Sequence, residues 1–249
     1  MGDAVWSMYD YNRGCCDNIC YSGVADIFRL PKFSLSFFRT QIAEGSMLPS
    51  GKMPYEVFIP AYRDEILSDT VMVYGNVDEV ELVLNGKTIR RQTADKGPDS
   101  DYIPVPNGGN GKNLHFPPFT FYGVPKERGV LKAVGYHQGK KVAEYTVKTP
   151  GVPERLDITY FESGKPATKN DLLIVYVRML DKQGVLCPVN GIPVELSVQG
   201  GEIVGPTSYP LEAGVASFLV RTGEISKINI RATSKEFSTY KKIKIKNSL

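Results

Sequence analysis

Near residue 55 the spacing of apolar positions changes from helical to alternating, and this divides the chain. Ala4 to Tyr11 is a short apolar and aromatic run that predicts a buried strand. Asn12 to Ser22 is polar, carries Gly14 and three cysteines, and predicts a loop. Pro31 suits the first position of a helix, where its missing N–H costs nothing. Phe33, Phe37, Phe38 and Ile42 continue as an apolar stripe at helical spacing, and Gly45 supplies a stop. One strand, one loop and one helix cannot cover Trp6, Phe28, Phe33, Phe37 and Phe38 by themselves. Residues 1–45 therefore require a partner surface: the helix either docks on a neighbouring sandwich or is loosely held.

Gly45, Pro49, Gly51 and Pro54 mark residues 46–54 as a linker. From residue 55 to 150 the period is two. Thr70 to Tyr74 is rich in β formers, and Val80 to Leu84 alternates into Asn85-Gly86 and then Lys87 to Ile89. Asn-Gly between extended runs is the strongest local hairpin signal. Leu131 to Tyr136, the turn 137–140, and Val142 to Val147 predict a second hairpin. A long polar loop, Ala94 to Asn113, separates the two.

Pro150-Gly151-Val152-Pro153 marks the next boundary, and residues 151–249 resume the β pattern. Leu172 to Leu180 is a long apolar strand ending in the turn 181–184. Pro193 to Val198 alternates until Gly200-Gly201 breaks it. Gly214 to Val220 and Ile228 to Thr233 are further strands. Lys241 to Lys246 alternates Lys and Ile, and reads as a last strand with a solvated Lys face rather than a nucleic-acid patch. The expected fold is mainly β, with two immunoglobulin-like β-sandwiches over 55–150 and 151–249. Neither carries the Cys…Trp…Cys core of antibody domains.

Charge changes the picture by exclusion. Thirty Lys and Arg against 27 Asp and Glu leave a net charge of +3, without the clustered basic excess of a nucleic-acid footprint. No apolar run is long enough for a transmembrane helix, so no membrane partner is expected. The first residues, Met1 to Trp6, have neither the basic nor the apolar region of a secretory signal. Cys15, Cys16, Cys20 and Cys187 do not space as a disulfide framework, and His115 and His137 lie far from them, so no metal site and no cofactor are expected. The thiols read as small apolar groups.

The candidate chemistry sits in Trp6-Ser7-Met8-Tyr9-Asp10, where strand alternation would point Trp6, Met8 and Asp10 to one face. An indole stacks on the C–H face of a pyranose, and a carboxylate beside it accepts from hydroxyls or steadies a neighbouring cation. A core Trp with a capping Asp fits the same pattern.

Trp6 to Asp10 followed by Tyr11-Asn12-Arg13-Gly14, then Tyr21-Ser22-Gly23 through Leu30-Pro31-Lys32, resembles the last βα unit of the catalytic (β/α)8 barrel of glycoside hydrolase family 2. That family includes β-galactosidases and β-glucuronidases. Its Trp-x-x-x-Asp strand pattern and its Gly…Pro-Lys stretch are both present, and the wording is closest to β-galactosidase-type members of gut Bacteroidetes. Val77 to Lys87 and Gly129 to Tyr136 resemble the sandwich that follows the barrel, and residues 151–249 are similar to a further immunoglobulin-like domain.

The resemblance implies that residues 1–45 are the strand-loop-helix remnant of such a barrel. Trp6 would floor a sugar subsite, Asp10 would support it, and Arg13 would stand on the loop beside it. The family's two catalytic glutamates, which retaining chemistry needs about 5 Å apart, would lie upstream of Met1 with the rest of the barrel; no Asn-Glu dipeptide occurs in this chain. Tyr21-Ser22 precedes Gly23 where glucuronidases place a lysine, which points to a neutral β-linked, galactose-like sugar. Family members of this type act in the periplasm or outside the cell.

Two further readings belong to other classes. One is a non-catalytic glycan- or partner-binding module, for which Tyr62, Phe119, Phe121 and Tyr122 are candidate exposed aromatics, with core packing as the simpler role. The other is a structural spacer.

Overall fold

A computed structural model describes residues 7–12, 14, 19–42, 55–61, 67–95, 114–161 and 166–246. The chain is mainly β and divides into two compact units, Met1–Thr149 and Pro150–Leu249.

In the first unit, residues 7–42 form three backbone passes and a helix. Tyr9 bridges Ala25 in parallel, and Ala25 in turn bridges Pro31 antiparallel. Strands β1 (Tyr11–Asn12) and β2 (Ile19–Cys20) pair antiparallel. Within the expected loop over 12–22 only Asn12, Ile19 and Cys20 join this short ladder, and residues 13 and 15–18 lie outside the described residues. The alternation expected for residues 6–10 fails. The backbone bends at Met8, which is 55% exposed while Asp10 is 5% exposed. Helix α1 spans Phe33–Arg39. Pro31 is not its first residue, because the Ala25 bridge holds Pro31, and the Lys32 N–H donates to Val24 O at 3.0 Å. Lys32 is the extended N-cap, and helical geometry begins only after it. Gly45 lies outside the described residues.

The rest of this unit is a two-sheet sandwich. One sheet runs β3 (Val57–Phe58), β4 (Val71–Gly75) and β7 (Phe119–Phe121). The other is ordered β6 (Lys87–Thr93), β5 (Glu79–Leu84), β8 (Val130–His137) and β9 (Lys140–Lys148). Both predicted hairpins form. Asn85 and Gly86 have φ of 51° and 80°, and Gln138 and Gly139 have 49° and 74°. Positive φ at both central residues matches the right-handed twist of the flanking strands. Val80, Leu82 and Leu84 on β5 interlock with Val73, Phe119, Phe121 and Leu131 as a closed core.

The second unit is also a sandwich. One sheet is ordered β10 (Arg155–Tyr160), β11 (Leu172–Leu180), β15 (Val215–Thr222) and β13 (Gly201–Ile203). The other is ordered β14 (Ser208–Pro210), β12 (Pro193–Gln199), β16 (Lys227–Ser234) and β17 (Phe237–Lys244). The predicted break at Gly200-Gly201 is where the chain leaves β12 and joins the opposite sheet as β13. The last strand starts at Phe237, four residues before the Lys-Ile run, because it pairs with all of β16. Val175, Val177, Met179, Phe218, Ile228 and Ile230 fill the core.

Asp181 anchors the end of β11. Its buried carboxylate accepts from the Gly151 N–H at 2.7 Å and the Val185 N–H at 2.8 Å. Burial alone would push this carboxyl up, but backbone donors from Gly151, Val185, Gln183 and Gly184 outweigh it and hold the group below the ordinary range. Cys187, beside it, is a buried free thiol raised by burial and by the Asp181 charge.

Candidate functional site around Asp10

Three chain segments meet at Asp10. Its N–H donates to Ala25 O at 3.0 Å, and the Ala25 N–H donates back to Met8 O at 3.0 Å. These two bonds fix the carboxylate just after the Tyr9 bridge, facing inward. Asp10 Oδ1 accepts from the Gly23 N–H at 2.9 Å and from Lys32 Nζ at 2.7 Å. Lys32 Nζ also donates to Tyr21 O at 3.0 Å and lies 5.9 Å from the centroid of the Tyr21 ring. A buried carboxylate with two strong donors on one oxygen is a fixed anchor. The ammonium has three donors; two are spent holding this geometry.

Gly23 has a steric reason to be glycine. A Cβ there would lie 2.3 Å from Asp10 N and 2.3 Å from Tyr9 C. The close approach brings the Gly23 N–H within reach of the carboxylate.

The turn before the helix is built on Asp26. Its N–H donates to Leu30 O, and the Leu30 N–H donates to Asp26 Oδ1 at 2.7 Å. Arg29 takes a φ of 68° to close this turn and sets its guanidinium 4.9 Å from the Tyr9 ring centroid. Burial raises the Asp26 carboxyl above its ordinary range, against the backbone donors of Leu30 and Phe28.

The helix carries this assembly onto the first sandwich. Phe33 meets Phe58 edge-on at 5.7 Å, and Phe37 meets Tyr74 at 5.1 Å. Arg39 pairs with Glu56. Asn76 Oδ1 accepts from the Glu56 N–H at 2.7 Å, close to the point where the helix ends. Of the two outcomes expected for the segment, docking is the one found. Within the same segment Met8, Tyr21, Ile27 and Phe38 are exposed, Tyr21 by 72%.

Of the three residues expected at a sugar site, only Asp10 is within the described residues; Trp6 and Arg13 lie outside them. Lys32 and Gly23 are the residues to which sequence reading assigned no role, although the Gly…Pro-Lys run that contains them was the available signal. The aromatic candidates of the binding-module reading do not form a surface in the first sandwich. Phe119 and Phe121 are fully buried, Tyr122 is half-buried, and Tyr62 lies outside the described residues. Among the described residues no helix is long and apolar enough to cross a membrane.

Residues 68–143, from β4 into the first residues of β9, match a family model described as "Domain of unknown function (DUF4982)". A β-galactosidase of Thermoanaerobacter pseudethanolicus is 32% identical over 262 residues, covering 98% of this chain and 33% of that protein. The chain thus spans about a third of that relative's length. A β-galactosidase of Rhizobium radiobacter is 30% identical over 127 residues, covering 50% of this chain and 91% of that protein. The solved structure of a β-glucuronidase from glycoside hydrolase family 2 shares the fold, with a TM-score of 0.71 at 21% identity over 92% of this chain and 23% of that one. The Trp-x-x-x-Asp and Gly…Pro-Lys patterns, the tandem sandwiches and these relatives agree: the chain belongs to glycoside hydrolase family 2.

Proposed function

We propose that this chain is part of a β-glycosidase of β-galactosidase type that hydrolyses O-glycosidic bonds. Residues 7–42 act as the last βα unit of a catalytic (β/α)8 barrel. The observation that carries this reading is the construction of that segment: its helix is docked on the sandwich through Phe33 and Phe37 while Met8, Tyr21, Ile27 and Phe38 are left exposed. Exposed apolar side chains of this kind are what a barrel's remaining units would cover.

In this reading Asp10 and Lys32 support the sugar subsite. Barrel enzymes place their chemistry at the C-terminal ends of strands, and Asp10 directly follows the parallel bridge of Tyr9 to Ala25. The anchored carboxylate holds the Lys32 ammonium, whose third donor serves a substrate hydroxyl. Trp6 provides the stacking surface and Arg13 a loop contact. The substrate is a neutral, galactose-like β-linked sugar. The pair of carboxylates that perform retaining hydrolysis belongs to residues outside this chain, so the 249 residues by themselves hydrolyse nothing. The whole enzyme works in the periplasm or outside the cell and uses no cofactor.

The test is hydrolysis of 4-nitrophenyl β-D-galactoside and β-D-glucuronide by the polypeptide of the longest open reading frame containing this chain. Cleavage of the galactoside, reduced at least about tenfold in kcat/KM by Asp10→Asn, is the expected outcome. Preference for the glucuronide, or turnover by the 249-residue chain alone, would overturn the reading.

A further inference from the structure

In the second unit, the outer face of the sheet β14-β12-β16-β17 is cationic and carries an exposed aromatic ring. Ile228, Ile230 and Ala232 on β16 point into the core, which turns Lys227, Asn229, Arg231 and Thr233 outward. The register then sets the rows across the face. Ser197, Arg231 and Tyr240 stand side by side; Gln199, Asn229 and Lys242 form the next row; Lys227 faces Lys244. Tyr240 is 78% exposed at the middle of β17.

The charges on this face differ from those on the sheet opposite it. On that other sheet, directly paired residues neutralise each other: Arg178 with Asp157 at 2.5 Å, and Arg221 with Glu202 at 2.5 Å. Lys227, Arg231, Lys242 and Lys244 have no ion-pair partner among the described residues, and Glu195 is the one carboxylate in the same rows. Two lysines directly opposite each other destabilise a sheet. Lysines on an edge strand do guard against edge-to-edge pairing, and β17 is an edge. That role accounts for neither Lys227 and Arg231 on the interior strand β16 nor a tyrosine left in water on the edge.

We propose that this face binds an anionic polysaccharide bearing uronate carboxylates. The Tyr240 ring stacks on the C–H face of a pyranose. The planar fork of Arg231 takes a carboxylate, with Lys242 and Lys244 as point charges along the strand, about 7 Å apart. Asn229, Ser197 and Gln199 serve hydroxyls. A single strand of nucleic acid fits less well, since it stacks successive bases on several aromatics, and this face offers one. The proposal goes beyond the hydrolase reading and does not depend on it.

The 249-residue chain is run by native affinity electrophoresis through gels containing polygalacturonate, neutral galactan, sulfated galactan or oligo-dT. Retardation by polygalacturonate above the other three is expected, falling with added salt. Tyr240→Ala should weaken it at least about tenfold, and the double variant Arg231→Glu, Lys242→Glu should abolish it, with thermal transitions unchanged in both. Absence of retardation, undiminished retardation of Tyr240→Ala, or stronger retardation by any of the other three polymers would overturn the proposal.

Discussion

Gln41 and Phe116 exchange two hydrogen bonds across 75 residues of sequence. The Gln41 amide donates to Phe116 O at 2.8 Å, and the Phe116 N–H donates to Gln41 Oε1 at 3.1 Å. The side-chain amide mimics a backbone unit, so the end of the helical segment is held by the same bonds that hold a sheet. With the Phe33–Phe58 and Phe37–Tyr74 contacts it makes residues 7–42 part of the first compact unit.

Gln41→Ala removes both bonds and leaves a backbone donor and acceptor unpaired. A loss of about 1–3 kcal/mol in docking follows. Amide hydrogen exchange should speed up in Phe33–Arg39 while strands β16 and β17 keep their protection. Unchanged exchange in the helix would show that the aromatic contacts and the Arg39–Glu56 pair hold it without Gln41.

Asp10 and Lys32 should couple. Removing one partner strands the other, while removing both relieves the penalty. A double-mutant cycle with Asp10→Ala and Lys32→Met is expected to give an interaction energy of about 1–3 kcal/mol, read from urea unfolding of the first unit. Simple additivity would mean that the pair holds nothing.

Gly23→Ala places a methyl group against the backbone of Tyr9 and Asp10, at distances that no side-chain rotation relieves. A destabilisation of at least about 1–3 kcal/mol is expected. Calorimetry should show the transition of the first unit falling while that of the second stays in place.

Asp181 gives the second unit an acid dependence. Its folded carboxyl titrates below its ordinary value, despite the opposing effect of burial. The stabilisation is therefore complete above the unfolded pKa, near 3.9, and is lost as pH falls through the folded value. Asp181→Asn should destabilise the second unit at neutral pH by about 1–3 kcal/mol. The gap between variant and parent should close as pH drops below about 4. A gap independent of pH would assign the role to packing rather than charge.

Local chemistry made much of the fold legible. Asn85-Gly86 and Gln138-Gly139 turn where positive φ comes cheaply, and the alternation of Val80, Leu82 and Leu84 marks a core face whatever lies across from it. Pro31 misled because its fixed φ suits a helix start and a β bridge alike, and only the partner Ala25 decides between them. Period two at Ile228 to Thr233 separates two faces but does not say what each meets. Packing against the opposite sheet made one the core and left Arg231 and Tyr240 in water. Asp10, Gly23 and Lys32 were visible one by one as parts of a familiar pattern. Their union required three chain segments brought together over 22 residues, with a backbone approach that only glycine permits. Turn and pattern energies act between near neighbours, so the sequence by itself determined the strands, the hairpins and the mainly β fold. Long-range contacts depend on which distant surfaces meet, so only the tertiary structure decided the buried anchor, the docked helix and the exposed cationic face.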